Sequence, residues 1–348
     1  MPAPITTFVD VNVNVAGASA TKFAFGALLG VFAHTVNVDR INGPFFSVSE
    51  MVAAGFTSAA EPEVNAWGTT VFAQDDGVDS LEVGLKAAGD ADYTAALDAI
   101  ELAATDSQNW YITNIESRVD ADIEDSSVWV EGRDDKIGIF QSADKTVVEF
   151  LAMQAAGRNR SAGFYHALDA EWLDGGISSS GGGLNLDAEN GAGIWAYRSL
   201  ENVTFDPLTG AEATAIYAAD ANIYGRNKGL NFTSKGTMAS GRFIDVQTSI
   251  DWIRERIEEA IISLQVGTPT KIPYTNAGVN IIRGVVQGVM DAAVTNGHLS
   301  PDVPPRVIVP DVATVSQQEK IDRELTISAT GVLAGAIQKL TVNVNLSF

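Results

Sequence analysis

The sequence predicts an α/β fold, a parallel or mixed sheet covered by helices, and three observations predict it. Short apolar runs alternate with helix-period segments between residues 91 and 225. Period-two alternation of apolar and polar residues occupies both extremities of the chain, and one strongly amphipathic stretch starts near residue 245. The 348 residues correspond to about two domains at roughly 150 residues each, enough to bury a substantial core.

The first element is a strand over residues 8–15, where Val9, Val11, Val13 and Val15 share one face and Asp10, Asn12 and Asn14 the other. The C-terminus repeats the pattern over residues 340–348, with Val342, Val344 and Leu346 on the apolar face. Strands at both extremities either close within the chain's own sheet or are lent to neighbours by strand addition. Residues 91–104 carry Ala95, Leu97 and Ile100 at helical spacing, and Trp110-Tyr111-Ile112-Thr113 follows as a buried strand. Residues 123–133 and 147–156 predict helices, and residues 137–140 and 161–168 predict strands, so the middle of the chain forms a helix-covered sheet.

Residues 174–193, rich in Gly and Ser, predict a flexible surface loop. The segment is no phosphate loop, because no Gly-Lys-Ser/Thr follows it. As a calcium-binding repeat it is incomplete, because Asn185 replaces a required glycine and the nonapeptide is not repeated. Residues 245–265 are the clearest helix: Ile250, Ile253, Ile257, Ala260 or Ile261, and Leu264 form a stripe, and Asp251, Arg254, Glu255, Glu258 and Glu259 take the other side. A second amphipathic stretch, residues 276–295, follows Lys271-Ile272-Pro273-Tyr274, and a Pro-rich turn over residues 301–310 leads to the last strands.

Composition removes several function classes. Without cysteine there is no disulfide scaffold, thiolate metal site or thiol nucleophile. His34, His166 and His298 lie far apart without metal-protease spacing and are expected as surface or capped core residues. Gly-x-Ser-x-Gly is absent, and no carboxylate pair is singled out for glycoside chemistry, so neither catalytic nor metal residues are assigned. The apolar run over residues 23–33 falls well short of the roughly 20 residues that span a bilayer. No basic n-region opens the chain, so Sec export is not expected.

Net charge is −22, and its distribution is uneven. Residues 61–150 hold 5 basic against 21 acidic residues, a net −16, whereas residues 226–348 hold 12 against 11, a net +1. So acidic a block repels nucleic acid and anionic membranes, and Asp120, Asp122, Glu124, Asp125, Glu131, Asp134 and Asp135 are expected on solvated faces and helix starts. The near-neutral C-terminal third reads as buried or interface-rich.

The stretch Ser234-Lys235-Gly236-Thr237-Met238-Ala239-Ser240-Gly241-Arg242-Phe243-Ile244-Asp245-Val246, with Ile250-Asp251-Trp252-Ile253 after it, resembles a segment of contractile-phage tail sheath proteins. Lys271-Ile272-Pro273-Tyr274-Thr275-Asn276-Ala277-Gly278 and Leu333-Ala334-Gly335-Ala336-Ile337 follow in the family's order, and Asn222-Ile223-Tyr224 is also similar. The resemblance covers residues 200–348 well and the remainder loosely, and residues 61–150 match no family motif. It implies a non-enzymatic structural subunit with no cofactor, stacked helically as hexameric rings around a tail tube protein. The further partners would be baseplate and tail terminator proteins, in a virion tail assembled in the host cytoplasm without nucleic acid or membrane insertion.

The resemblance also implies terminal arms over residues 1–20 and 331–348, with Val9, Val11, Val13, Val15, Val342, Val344 and Leu346 exchanging strands with neighbours. An inner domain would combine residues 21–60 and 234–330, and an outer acidic α/β domain would span residues 61–233. Arg254, Glu255, Glu258 and Glu259 would face the tube. The alternative reading is an acidic soluble binding or surface-layer protein, suggested by 44 acidic residues against few lysines.

Overall fold

A computed structural model describes residues 22–105, 108–268 and 270–338. Eight strands form one sheet: β1 (Leu28–Phe32), β2 (Ile41–Phe45), β3 (Leu81–Leu85), β4 (Ile112–Ile115), β5 (Ile137–Ser142), β6 (Ser161–Tyr165), β7 (Asn222–Asn227) and β8 (Leu230–Thr233). Their spatial order is β2-β3-β1-β4-β5-β6-β7-β8. The six inner strands are parallel, and β2 and β8 close the two edges antiparallel. Every residue of β1, β3, β4, β5 and β6 is buried, the condition of parallel strands covered on both faces.

Neighbouring residues along a strand feed opposite cores. Leu28, Ile112, Ile139 and Phe164 point into one, whereas Leu29, Ile115, Phe140 and Tyr165 point into the other. In chain order the helices that cover them are α1 (Val48–Ala53), α2 (Pro62–Phe72), α3 (Tyr93–Ala103), α4 (Asp120–Glu131), α5 (Val148–Ala155), α6 (Leu173–Gly182) and α7 (Gly210–Ala218). The first core is closed by α1, α2 and α6 and the second by α3, α4, α5 and α7. Local chemistry fixes several starts: Asp92 accepts the Ala95 amide ahead of α3, and Thr209 with Glu212 forms a capping box on α7.

Two long helices, α8 (Ile244–Gly267) and α9 (Asn276–Thr295), pack together and extend the first core through Ile244, Trp252, Val286 and Met290. After them come β9 (Arg306–Ile308), α10 (Gln317–Asp322) and β10 (Ser328–Thr330), with β9 and β10 paired antiparallel as a separate two-stranded sheet. Among the described residues no helix is long and apolar enough to cross a membrane.

The mixed helix-covered sheet matches the expected fold class, and the helices and strands expected between residues 91 and 168 form within a few residues of their expected bounds. The Gly- and Ser-rich segment differs from expectation. Its first half is α6, buried along Leu173 to Gly181 rather than a flexible loop. Glycine is required there by close packing: a Cβ on Gly175 would stand 2.7 Å from the Trp67 ring, and one on Gly181 would stand 2.6 Å from the Trp195 ring. A helix of small residues lets those tryptophans approach its backbone, which periodicity of apolar residues cannot reveal.

The expected separation of residues 21–60 from residues 61–233 is also not a division of this sheet. Strand β1 sits between β3 and β4, bonded to both, so the segment before residue 60 is central to the same layer. The strands expected over residues 8–15 and 340–348 lie outside the described residues.

Candidate functional site

The N-terminal half of α8 docks on the sheet through a polar tie. Asp251, 1% exposed, receives Arg160 Nη2 on Oδ1 at 2.6 Å and Arg160 Nη1 on Oδ2 at 3.0 Å. The Tyr111 hydroxyl donates to Asp251 Oδ2 at 2.8 Å and Gln247 Nε2 to Oδ1 at 3.1 Å. Arg160 Nη1 also reaches the Lys136 carbonyl at 2.9 Å. Burial, reinforced by the adjacent Asp251 carboxylate, pushes the Tyr111 hydroxyl well above its ordinary pKa and keeps it a donor. A bidentate pair with both carboxylate oxygens bonded is the geometry in which a buried charge is tolerated.

This tie corrects the expected face of the helix. Asp251, assigned to the solvent side, is buried, and Ile250, assigned to the apolar stripe, is 37% exposed. Gln247, Thr248, Ser249 and Arg256 are buried with Asp251, so polar pairing rather than apolar periodicity orients this half of α8. Nothing local in the sequence connects Arg160 and Tyr111 to Asp251, because the partners stand 91 and 140 residues away.

One turn further on, Arg256 binds Asp187 through Nε at 3.0 Å and Nη2 at 2.9 Å, and Glu259 through Nη1 at 2.7 Å. The Phe23 amide donates to Glu259 Oε1 at 2.5 Å, and Arg256 Nη2 donates to the Phe23 carbonyl at 3.2 Å. Trp252 Nε1 donates to Asp187 Oδ1 at 3.0 Å, and its ring stacks on His298 with centroids 4.4 Å apart. The backbone at Phe23 is therefore clamped onto the polar side of α8.

Of the four residues expected to face a tube, Glu259 holds this clamp, and Arg254 binds Glu255 at 2.8 Å and the Asp134 carbonyl. Glu258 is the exposed member of the set. Val9, Val11, Val13, Val15, Val342, Val344 and Leu346 lie outside the described residues. The structure brings Arg254, Glu255 and Glu259 into intrachain ion pairs, a role the sequence reading missed.

Beyond these ties the character of the surface changes. Ten of the 21 large apolar side chains exposed among the described residues fall in residues 243–338, including Ile262, Val266 and Ile281 at the far end of the α8–α9 pair. In the same region β9 and β10 pair only with each other among the described residues, and Ile308 of β9 stands exposed. Between the last turn of α8, the 270–275 loop and the start of α9 lies a cleft of about 690 Å³, lined in part by Ile272, Tyr274, Val279, Ile282 and Leu325.

All three histidines are interior. His166 Nδ1 lies 3.0 Å from Asp206 and its Nε2 lies 3.2 Å from Glu171, sealed at 0% exposure as an internal tie. His298 bonds Ser249 and the Leu186 carbonyl at 3.0 Å each, and burial lowers its pKa. The acidic stretch is only in part a solvated face: Glu131 accepts the backbone amides of Asn159 and Arg160, and Asp122 accepts from Ser117.

With this geometry in place, residues 244–323 match the family described as E217 tail sheath protein gp31-like, C-terminal domain. The whole chain superposes on a chain of the cryo-EM anti-feeding prophage (AFP) baseplate, 6-fold symmetrised, with TM-score 0.72, 14% identity and 100% of both chains covered. It superposes equally, at TM-score 0.72 and 9% identity over 100% of this chain and 98% of that one, on an extracellular contractile injection system, the PVC sheath complex in its contracted state. The sheath tail protein of Desulfitobacterium hafniense aligns with TM-score 0.54 and 9% identity over 88% of this chain and 96% of that one. At these identities the likeness establishes the fold. No curated protein matches the chain by sequence.

Proposed function

We propose that this chain is the repeating subunit of a contractile sheath, a reading supported by its fold and by the match of residues 244–323 to a tail sheath C-terminal domain. Subunits of this kind would stack as hexameric rings around a tail tube, between baseplate and terminator proteins. Contraction of the stack would drive the tube through a host envelope. The particle would be a tail assembled in the host cytoplasm.

The observation that carries this reading is a coincidence of position. The segment that matches the sheath family lies inside residues 243–338, which hold ten of the 21 exposed large apolar side chains, and inside the near-neutral C-terminal third. A multi-copy assembly needs low-charge, partly apolar contact faces, while its solvent face tolerates high charge. The eight-stranded sheet with its acidic helices would then face outward, and α8, α9 and the β9–β10 sheet would face the tube and neighbouring subunits.

The terminal strands over residues 8–15 and 340–348 would add to open strand edges of neighbouring copies. The β9–β10 sheet offers such edges among the described residues. The exposed Glu258 would be the tube-facing charge of its helix turn, with Arg254, Glu255 and Glu259 holding that turn rigid. Energy would be stored in the metastable extended assembly, with no nucleotide.

Negative-stain microscopy of the purified full chain tests the reading, with tubes or ring stacks as the expected result. Deleting residues 1–18 should leave a folded subunit that forms none. A monomer at every ionic strength would refute the sheath reading in favour of an acidic binding module, and full-length tubes from the deletion variant would refute strand exchange alone.

A further inference from the structure

We infer that Asp120, Asp144 and Glu149 form a binding site for a hard divalent cation, Ca²⁺ or Mg²⁺, at the carboxyl ends of strands β4 and β5. One carboxylate oxygen from each of the three lies within 4.8 Å of the others. They come from three different places: Asp120 opens α4, Asp144 lies in the loop after β5, and Glu149 sits in the first turn of α5. In open α/β sheets this edge is where ligands are held.

An acidic trio on a surface would carry little by itself. The second observation is Glu149, whose side chain is 0% exposed and whose two carboxylate oxygens have no hydrogen-bond partner. Buried carboxylates are otherwise paired or metal-bound. Glu149 has no such partner, although it is aimed into a cluster with two more carboxylates.

The basic residues nearest in sequence are committed elsewhere. Arg118 is held by Asp174 at 2.7 Å, and Lys145 by Glu212 at 2.6 Å. Burial raises the Glu149 pKa, and Asp120 and Asp144 raise it further. The Ser142 hydroxyl and the backbone amide of Glu149 itself offset part of this. The residue that leads into α5 is Val147, held in the left-handed region at φ 49°, an unfavourable conformation for a β-branched residue.

A cation answers the charge and the chemistry together. An all-oxygen donor set suits Ca²⁺ or Mg²⁺. Three protein oxygens leave positions for water, as Ca²⁺ with six to eight ligands and Mg²⁺ with six both require. Bridging α4, the β5–α5 loop and α5 would stiffen that edge of the acidic layer. The inference does not rest on the sheath reading.

The test uses the full chain stripped with EDTA and compared in 5 mM CaCl₂ or MgCl₂ against KCl of equal ionic strength. One of the two cations should raise the melting temperature by about 4 °C, the rise expected at roughly a hundredfold excess over Kd. Titration calorimetry should report one site per chain. Glu149→Gln should abolish the shift, and Asp144→Asn, at the rim of the site, should weaken binding at least tenfold while the apo protein melts as before. No response to either cation would overturn the inference. So would a response of equal size in both variants, which would put the cation elsewhere on the acidic surface.

Discussion

Removal of Asp251 should uncouple α8 from the sheet. In Asp251→Ala, Arg160 would remain buried with only the Lys136 carbonyl, and Tyr111 and Gln247 would lose their shared acceptor. Breaking a buried ion pair from one side destabilises by about 3–5 kcal/mol, because the surviving charge stays in a low-dielectric site. The four hydrogen bonds lost here place the expected value in the upper half of that range. Arg160→Met should lose a similar amount, since Asp251 would then keep only neutral donors.

The double variant buries no charge, so its loss should fall short of the sum of the two by about 2 kcal/mol or more. Urea unfolding followed by circular dichroism, with the slope checked for constancy, supplies all three values. Losses below about 1 kcal/mol, or losses that add within about 0.5 kcal/mol, would refute the argument that this pair orients α8.

Other perturbations have definite signs. Burial pushes Glu82 up to about 8 from 4.5, so the native state holds a proton that the unfolded state releases above pH 4.5. Stability from this group is full below pH 4.5 and is lost as pH rises through 8. Between pH 6 and 8 the wild type should lose about 2 kcal/mol relative to Glu82→Gln, read from urea midpoints. Gly181→Val would drive a side chain against the Trp195 ring and should destabilise by about 1–3 kcal/mol. Gly284→Ala, with nothing within 4 Å of the added carbon in the middle of α9, should instead stabilise by about 0.5–1 kcal/mol, again read from urea midpoints. Ile262→Ser combined with Val266→Ser should change the melting temperature little, since both side chains are exposed, yet reduce tube formation scored by microscopy.

What the sequence alone determined is whatever short-range pattern encodes. The alternation of buried runs and helical segments between residues 91 and 168 is a local signal, and the helices and the parallel sheet followed it. The long helices over residues 244–267 and 276–295 were equally legible, as was the likeness of residues 244–323 to a tail sheath C-terminal domain. The tertiary structure alone decided three things, each a pairing across long sequence distance. Helix α6 is a helix because Trp67 and Trp195 need a surface without side chains, so its glycines carry information only once those rings are placed. Strand β1 joined the central sheet through partners 53 and 84 residues away, which no local period records. The rotation of α8 was set by Arg160 and Tyr111 on the sheet, where the free energy of pairing a buried carboxylate outweighs the exposure of one isoleucine.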